Sequence, residues 1–169
     1  LNAEQGLAFP DFRASERTFQ LLTQIAGRAG RGDRAGRVIM QTHLPQHYAI
    51  DRARHHDVIG FLEVEATLRR ARGFPPSSHL ALFRITGPAL PAVIQLAESL
   101  AAALAQAIAE LQLDAEALAP LPAPIERIKD RWRYQLLVKS PTRKALRQAL
   151  EATRQKWETR LSAGLQIAL

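Results

Sequence analysis

Apolar residues recur along this chain at two different spacings, and the change from one to the other divides it. Phe19, Leu22 and Ile25 stand three apart, the step that keeps side chains on one face of a helix. Ser15 lies just ahead as the expected N-cap, and Gly27 ends the run. A loop rich in glycine and arginine follows over residues 27–37, and Arg37-Val38-Ile39-Met40-Gln41-Thr42 reads as a short buried strand. A helix, loop and strand of this size cannot bury a core of their own. They are expected to belong to a larger sheet that begins upstream. Two further helices are expected over residues 46–54 and 58–72, the second with Ile59, Leu62, Ala66 and Arg69 on one side. Gly73-Phe74-Pro75-Pro76-Ser77-Ser78 then breaks the helix and reads as a boundary loop.

From His79 the pattern is more regular. Residues 80–86 read as a strand with Ala81, Phe83 and Ile85 on one face. Pro88 or Pro91 opens a long helix whose Leu96, Leu100, Leu104, Ile108 and Leu111 form an apolar stripe. Pro120, Pro122 and Pro124 mark a rigid connection into a hairpin with arms at residues 125–129 and 132–139. In the second arm Trp132, Tyr134, Leu136 and Val138 alternate with Arg133, Gln135 and Lys139. Thr142 is a suitable N-cap for a helix through residue 160, with Leu146, Ala149, Leu150, Thr153 and Trp157 inward, and a last strand begins near Leu165. The order over residues 79–169 is β-α-β-β-α-β, the split-βαβ arrangement of one sheet with two helices on one face. Three regions are expected: 1–44 as the end of an α/β lobe, 45–78 as bridging helices and Pro-Pro loop, and 79–169 as an α+β domain.

Composition narrows the partners. Of 169 residues 47% are hydrophobic, enough for a packed core, and none is cysteine, which excludes disulfides and thiolate-bound zinc within this sequence. The most apolar stretch, residues 96–111, is interrupted by Glu98, Gln106 and Glu110, so no membrane span is expected. The net charge is +7, but it is unevenly placed: residues 77–126 carry −4 and residues 127–160 carry +8. A strongly positive surface is therefore expected in the second half, suited to nucleic acid. The absence of an initial Met and the apolar alternation that ends at Leu169 read as the marks of an excised fragment.

One motif carries chemistry. In Gln24-Ile25-Ala26-Gly27-Arg28-Ala29-Gly30-Arg31 a helix runs into two glycines and two arginines three residues apart. Glycines let the backbone turn closely around a bound group, and each guanidinium offers a planar fork to phosphate oxygens. An arginine placed at a transferring γ-phosphate accelerates hydrolysis by roughly 10³–10⁵-fold. The bland alternative is a solvated Arg/Gly tract, which Arg34 and Arg37 would continue; the helix before the motif and the strand after it argue against that.

The spacing Gln24-x-x-Gly27-Arg28-x-Gly30-Arg31 resembles motif VI of superfamily 2 helicases, found in their second RecA-like lobe. The flank Pro10-Asp11-Phe12-Arg13-Ala14-Ser15-Glu16-Arg17-Thr18-Phe19-Gln20-Leu21-Leu22, the Pro75-Pro76 step and Arg131-Trp132-Arg133-Tyr134-Gln135-Leu136-Leu137 are similar to the PriA family of replication-restart helicases. The resemblance covers essentially the whole chain, strongest over residues 10–42 and patchier from 88 to 124. It departs at Ser77, where the family usually has an aromatic, and at the missing acidic-apolar ending.

The resemblance implies that Arg28 and Arg31 reach ATP phosphates, with Arg31 as the finger, Gln24 helping to couple the lobes, and Gly27 and Gly30 forming the ATP loop. Asp11, Arg13 and Glu16 would hold the lobe together. It implies ATP and Mg as cofactors, bound mainly by an upstream lobe, and zinc in the full-length family at cysteines this chain lacks. Residues 79–169 would resemble a ribosomal S10-like protein. Lys129, Arg131 and Arg133 are DNA-binding candidates, with Trp132 read as core and, alternatively, as a stacking platform. Arg143 and Arg147 are candidates for the tail of single-stranded DNA-binding protein, against the alternative of a solvated helix face. The implied partners are branched and single-stranded DNA, that tail and other primosome proteins. The implied state is a monomer in the bacterial cytoplasm, associated with the nucleoid. His43, His47, His55, His56 and His79 lack completing carboxylates or cysteines, so no metal site is expected here. The rival classes are a non-catalytic nucleic-acid or protein-interaction module with a helicase-like loop, and a ribosomal or RNA-binding protein.

Overall fold

Helix α1 (Ala14–Arg28) begins two residues earlier than an N-cap at Ser15 would place it. Asp11 Oδ1 accepts from the Arg13 backbone N–H at 2.9 Å, and the Asp11 carbonyl accepts from Ala14 N at 2.9 Å. Asp11, not Ser15, therefore opens the helix, and Ser15 lies within it beside the Tyr48 hydroxyl. This computed structural model describes residues 4, 6–8, 11–28, 37–158 and 164–168. They form two compact units, Leu1–Ala71 and Arg72–Leu169.

In the first unit α1 packs with α2 (Tyr48–Arg54) and α3 (Val58–Ala71) around Phe19, Leu22, Ala49, Ile50, Ala53 and Phe61. Phe19 and Phe61 stack with ring centroids 4.1 Å apart. The helices expected to bridge two regions thus share one core with α1. Asp57 caps α3, accepting from Gly60 N at 2.8 Å and from Arg52 Nη1 at 2.6 Å. A Cβ on Gly60 would lie 2.2 Å from Asp57 Oδ2, so the cap needs glycine there.

Two expectations are corrected here. The buried strand over residues 37–42 is absent: Gln41 makes only an isolated bridge, and Ile39 is 73% exposed. An isolated apolar run cannot become a strand without a neighbour to accept its backbone hydrogen bonds. The inward face of α3 is also different. Phe61 and Glu65 are buried, whereas Ile59 and Leu62 are 72% and 56% exposed. Glu65 is tolerated inside because Arg69 and Tyr48 occupy both its oxygens.

The second unit is a mixed α/β structure on an antiparallel sheet. Its elements run β1 (His79–Gly87), α4 (Leu90–Glu110), β2 (Glu116–Ala117), β3 (Leu121–Ile128), β4 (Arg131–Ser140), α5 (Arg143–Glu158) and β5 (Gln166–Ala168). In the sheet β4 pairs with β1 on one side and with β2 and β3 on the other, while β5 pairs with the free side of β1. Phe83 and Ile85 of β1 and Leu136 and Val138 of β4 point to one face, where Val93, Leu96, Leu100 and Leu104 of α4 and Leu146 of α5 close the core. Pro91 stands in the first turn of α4, where its missing N–H costs nothing. Leu111 falls outside the stripe and is exposed. By length and composition α4 could cross a membrane, but its apolar stripe is packed on the sheet as a core helix.

Thr142 caps α5 as expected, its Oγ1 accepting from Ala145 N at 3.2 Å. Leu146, Ala149 and Thr153 are buried and Leu150 packs beside them. The expected contact of Trp157 involves a side chain outside the described part of the structure. The rigid Pro120–Pro124 connection is corrected: Pro122 and Pro124 lie inside edge strand β3. The pairing slips between Pro122 and Arg127, where β3 carries extra residues opposite β4. Lys129 and Asp130 make the two-residue hairpin turn, with φ of 48° and 59°.

Candidate functional site

The residues of the helicase-like motif fall at the exit of α1. Gln24, Gly27 and Arg28 occupy its last turns and all three are exposed. Gly30 and Arg31 lie outside the described residues. Local chemistry explains this placement: Phe19 and Leu22 anchor the preceding turns in the core, so the next turns project beyond it. The far end of the helix is held by Asp11, which pairs with Arg17 at 2.7 Å, and by Glu16, which pairs with Arg69 at 2.7 Å. A Cβ on Gly27 would meet no atom within 4 Å. Glycine within a helix costs about 1 kcal/mol relative to alanine, and nothing in the described unit requires it there. Beside this end lies a hollow of about 370 Å³ whose walls include Ala26, Val38, Met40, Ile50, Arg54 and His56.

Segment 42–44 is pinned next to that hollow. The Glu4 carboxylate accepts from Thr42 Oγ1 at 2.7 Å, from Leu44 N at 3.1 Å and from His43 N. The Thr42 bond is the largest influence holding its carboxyl below the usual range.

In the second unit the expected DNA-binding residues separate into two kinds. Lys129 stands exposed at the tip of the β3–β4 hairpin. Arg131 and Arg133 are committed to backbone carbonyls instead. Arg131 Nη2 donates to the Thr86 carbonyl at 3.3 Å and to the Gly164 carbonyl, fastening the end of β1 to the approach of β5. Arg133 Nη1 donates to the Ile125 carbonyl at 3.3 Å, inside the slipped segment where regular ladder partners are missing. A carbonyl leaves the guanidinium charge uncompensated, and each guanidinium has five donors, so both remain sources of positive potential.

Trp132 is half-buried and packs against the core. Arg127 covers it, with the guanidinium carbon 5.2 Å from the ring centroid, and pairs with Asp130 at 2.9 Å. Sequence reasoning missed Arg127. Its only signal was its position opposite Trp132 across a two-residue turn. Arg143 and Arg147 do lie together on the exposed face of α5, where with Lys144, Gln148 and Glu151 they line an open hollow of about 620 Å³. Among the described residues no group of three His, Cys, Asp or Glu side chains is placed to hold a metal.

Residues 70–168 match the family model described as primosomal protein N C-terminal domain. The chain belongs to this family. Primosomal protein N relatives include the replication restart protein PriA of Bacillus subtilis (strain 168), 42% identical over 139 residues, 82% of this chain and 17% of that protein. The replication restart protein PriA of Synechocystis is 40% identical over 140 residues, 83% of this chain and 16% of that protein. That of Haemophilus influenzae is 35% identical over 156 residues, 92% of this chain and 21% of that protein. The chain thus spans about a fifth or less of the length of these primosomal protein N relatives. The aligned lengths exceed the family-model match, so the likeness extends back into the first unit.

Proposed function

We propose that this chain is the C-terminal part of an ATP-dependent 3′-to-5′ DNA helicase that recognises stalled or branched forks and restarts replication by assembling a primosome. The observation that carries the reading is the sequence motif Gln24-x-x-Gly27-Arg28-x-Gly30-Arg31, whose Gln24, Gly27 and Arg28 stand at the exposed end of α1, in a chain whose relatives are named replication restart proteins. The first unit would be the end of the second RecA-like lobe, and the second unit an S10-like DNA- and partner-binding domain. The protein would work in the bacterial cytoplasm, on DNA.

Gln24, Gly27 and Arg28 offer amide, backbone and guanidinium groups, which suit phosphate oxygens and not a hard cation. ATP and its Mg would therefore be held mainly by an upstream lobe, and Mg there would offset charge on the phosphates. Gly27 leaves the backbone open to close approach, Arg28 contacts the phosphates, and Arg31 stabilises charge as it spreads over the γ-phosphate. Gln24, one turn before Arg28, would link nucleotide state to the position of α1. In the second unit Lys129, Arg131 and Arg133 would supply positive potential along DNA. The Arg143–Arg147 hollow would take the acidic, apolar tail of single-stranded DNA-binding protein.

The deciding experiment uses the full-length protein with Arg31→Ala. DNA-stimulated ATPase should fall by roughly 10³-fold or more with DNA binding retained. Undiminished ATPase would remove the finger assignment. If the sequence upstream of Leu1 encodes no nucleotide-binding lobe, the non-catalytic interaction module becomes the better reading.

A further inference from the structure

The helix that presents the motif is clasped at its other end by a polar cluster, of which the sequence marked only Glu16, as a residue holding the lobe together. Arg69, near the end of α3, donates from Nη2 to Glu16 Oε2 of α1 and from Nε to Glu65 Oε1 of its own helix, both at 2.7 Å. The second Glu65 oxygen accepts from the Tyr48 hydroxyl at the start of α2. The Arg69 guanidinium carbon also lies 5.2 Å from the centroid of the Phe12 ring. One guanidinium, two carboxylates and the Tyr48 hydroxyl therefore tie three helices together. The Arg69 and Glu65 side chains are only 14% and 8% exposed.

Shielded ion pairs of this kind add little net stability compared with apolar packing of similar volume. They differ from apolar contact in being directional. A planar fork accepts two carboxylates in few orientations, whereas the Phe19, Leu22 and Phe61 contacts allow small rotation and sliding of α1. Glu16 lies twelve residues before Arg28, about 18 Å along a helix axis. A rigid helix carries a rotation set at Glu16 to that end. Catalysis by a charge placed on a transferring phosphate is sensitive to displacements of about 1 Å.

We propose that Glu16 and Arg69 are positioning residues that set the rotation and axial register of α1, and through it the reach of Arg28 to phosphate. This rests on the helicase reading of the motif. Neither residue touches the nucleotide, so their loss should appear in turnover and not in nucleotide binding.

The test measures ATP hydrolysis by full-length protein with saturating single-stranded DNA. Glu16→Gln keeps side-chain volume and leaves the Arg69–Glu65 pair. It should lower kcat about 5–10-fold with KM for ATP within about twofold of the parent. Arg69→Lys, which supplies a point charge without the fork, should also lower kcat without raising KM. Gly60→Ala is the stability control: it disturbs the Asp57 cap at the opposite end of α3 and should lower Tm while leaving kcat unchanged. Unchanged kcat in Glu16→Gln overturns the proposal, as does an equal loss of kcat in Gly60→Ala. Arg31→Ala separates the two levels. If it abolishes turnover while Glu16→Gln does not, only the positioning role fails; if it too is without effect, the helicase reading fails with it.

Discussion

The two units of this chain solve the problem of a small core in different ways. In the second, a sheet and two helices supply opposite walls, and Phe83, Ile85, Leu136 and Val138 are fully enclosed between them. In the first, three helices enclose Phe19, Leu22 and Phe61 but leave Ile39, Ile59 and Leu62 largely outside. What the first unit lacks in buried apolar area it replaces with oriented polar contacts: the Asp11 and Asp57 caps, the Glu4 clamp on residues 42–44, and the Arg69 clasp. Area is tolerant of small shifts, and oriented contacts are not. The unit that carries the motif is held by the less forgiving kind.

The comparison can be broken most directly in the second unit. Leu136→Ala should reduce its stability by about 3–5 kcal/mol in urea unfolding, since it empties space at the centre of the sheet. A loss below about 1 kcal/mol would mean that area is not what holds this unit. In the first unit Arg69→Ala should cost about 2–4 kcal/mol, because Glu65 is left buried beside Tyr48 without its cation. Arg69→Met should do the same, which separates the loss of charge from the loss of volume.

The clasp also has a signature in alkali. Burial, with the Glu65 hydrogen bond adding, pushes the Tyr48 hydroxyl from 10.0 up to about 12. The unfolded chain releases this proton first, so the contribution is complete below pH 10 and is lost as pH rises towards 12. Tyr48→Phe should flatten that part of the stability profile, and an unchanged slope would show that Tyr48 does not couple to folding. Smaller effects are expected at the edges. Arg133→Ala should cost about 1 kcal/mol through its bond to Ile125. Ile59→Ser should change stability by no more than about 0.5 kcal/mol; a larger loss would place Ile59 in a core.

Where burial follows from neighbours in sequence, the elements were legible. The alternation of β1 and β4, the stripe of α4 through Leu104 and the Thr142 cap of α5 are all local patterns, and each is present. The arrival of Gln24, Gly27 and Arg28 at an exposed helix end was legible for the same reason. What depends on distant partners was not. Residues 37–42 read as a strand from composition, but a strand exists only with a paired neighbour. On α3 the apolar positions suggested the wrong inward face, because the pairing that lets Glu65 inside comes partly from Tyr48 on another helix. Nor did any pattern announce the carbonyls that Arg131 and Arg133 meet, at Thr86 and Gly164 for the first and at Ile125 in the slipped segment for the second.

The prolines of β3 bear on how this unit keeps company with others. Pro122 and Pro124 have no backbone N–H, and the slip beside them bends the edge strand away from a straight ladder. A second molecule approaching this rim finds an incomplete row of donors and cannot lengthen the sheet by adding a strand of its own. The rim is thereby closed to fibre-like stacking at high concentration, and whatever docks there must be chosen by side chains.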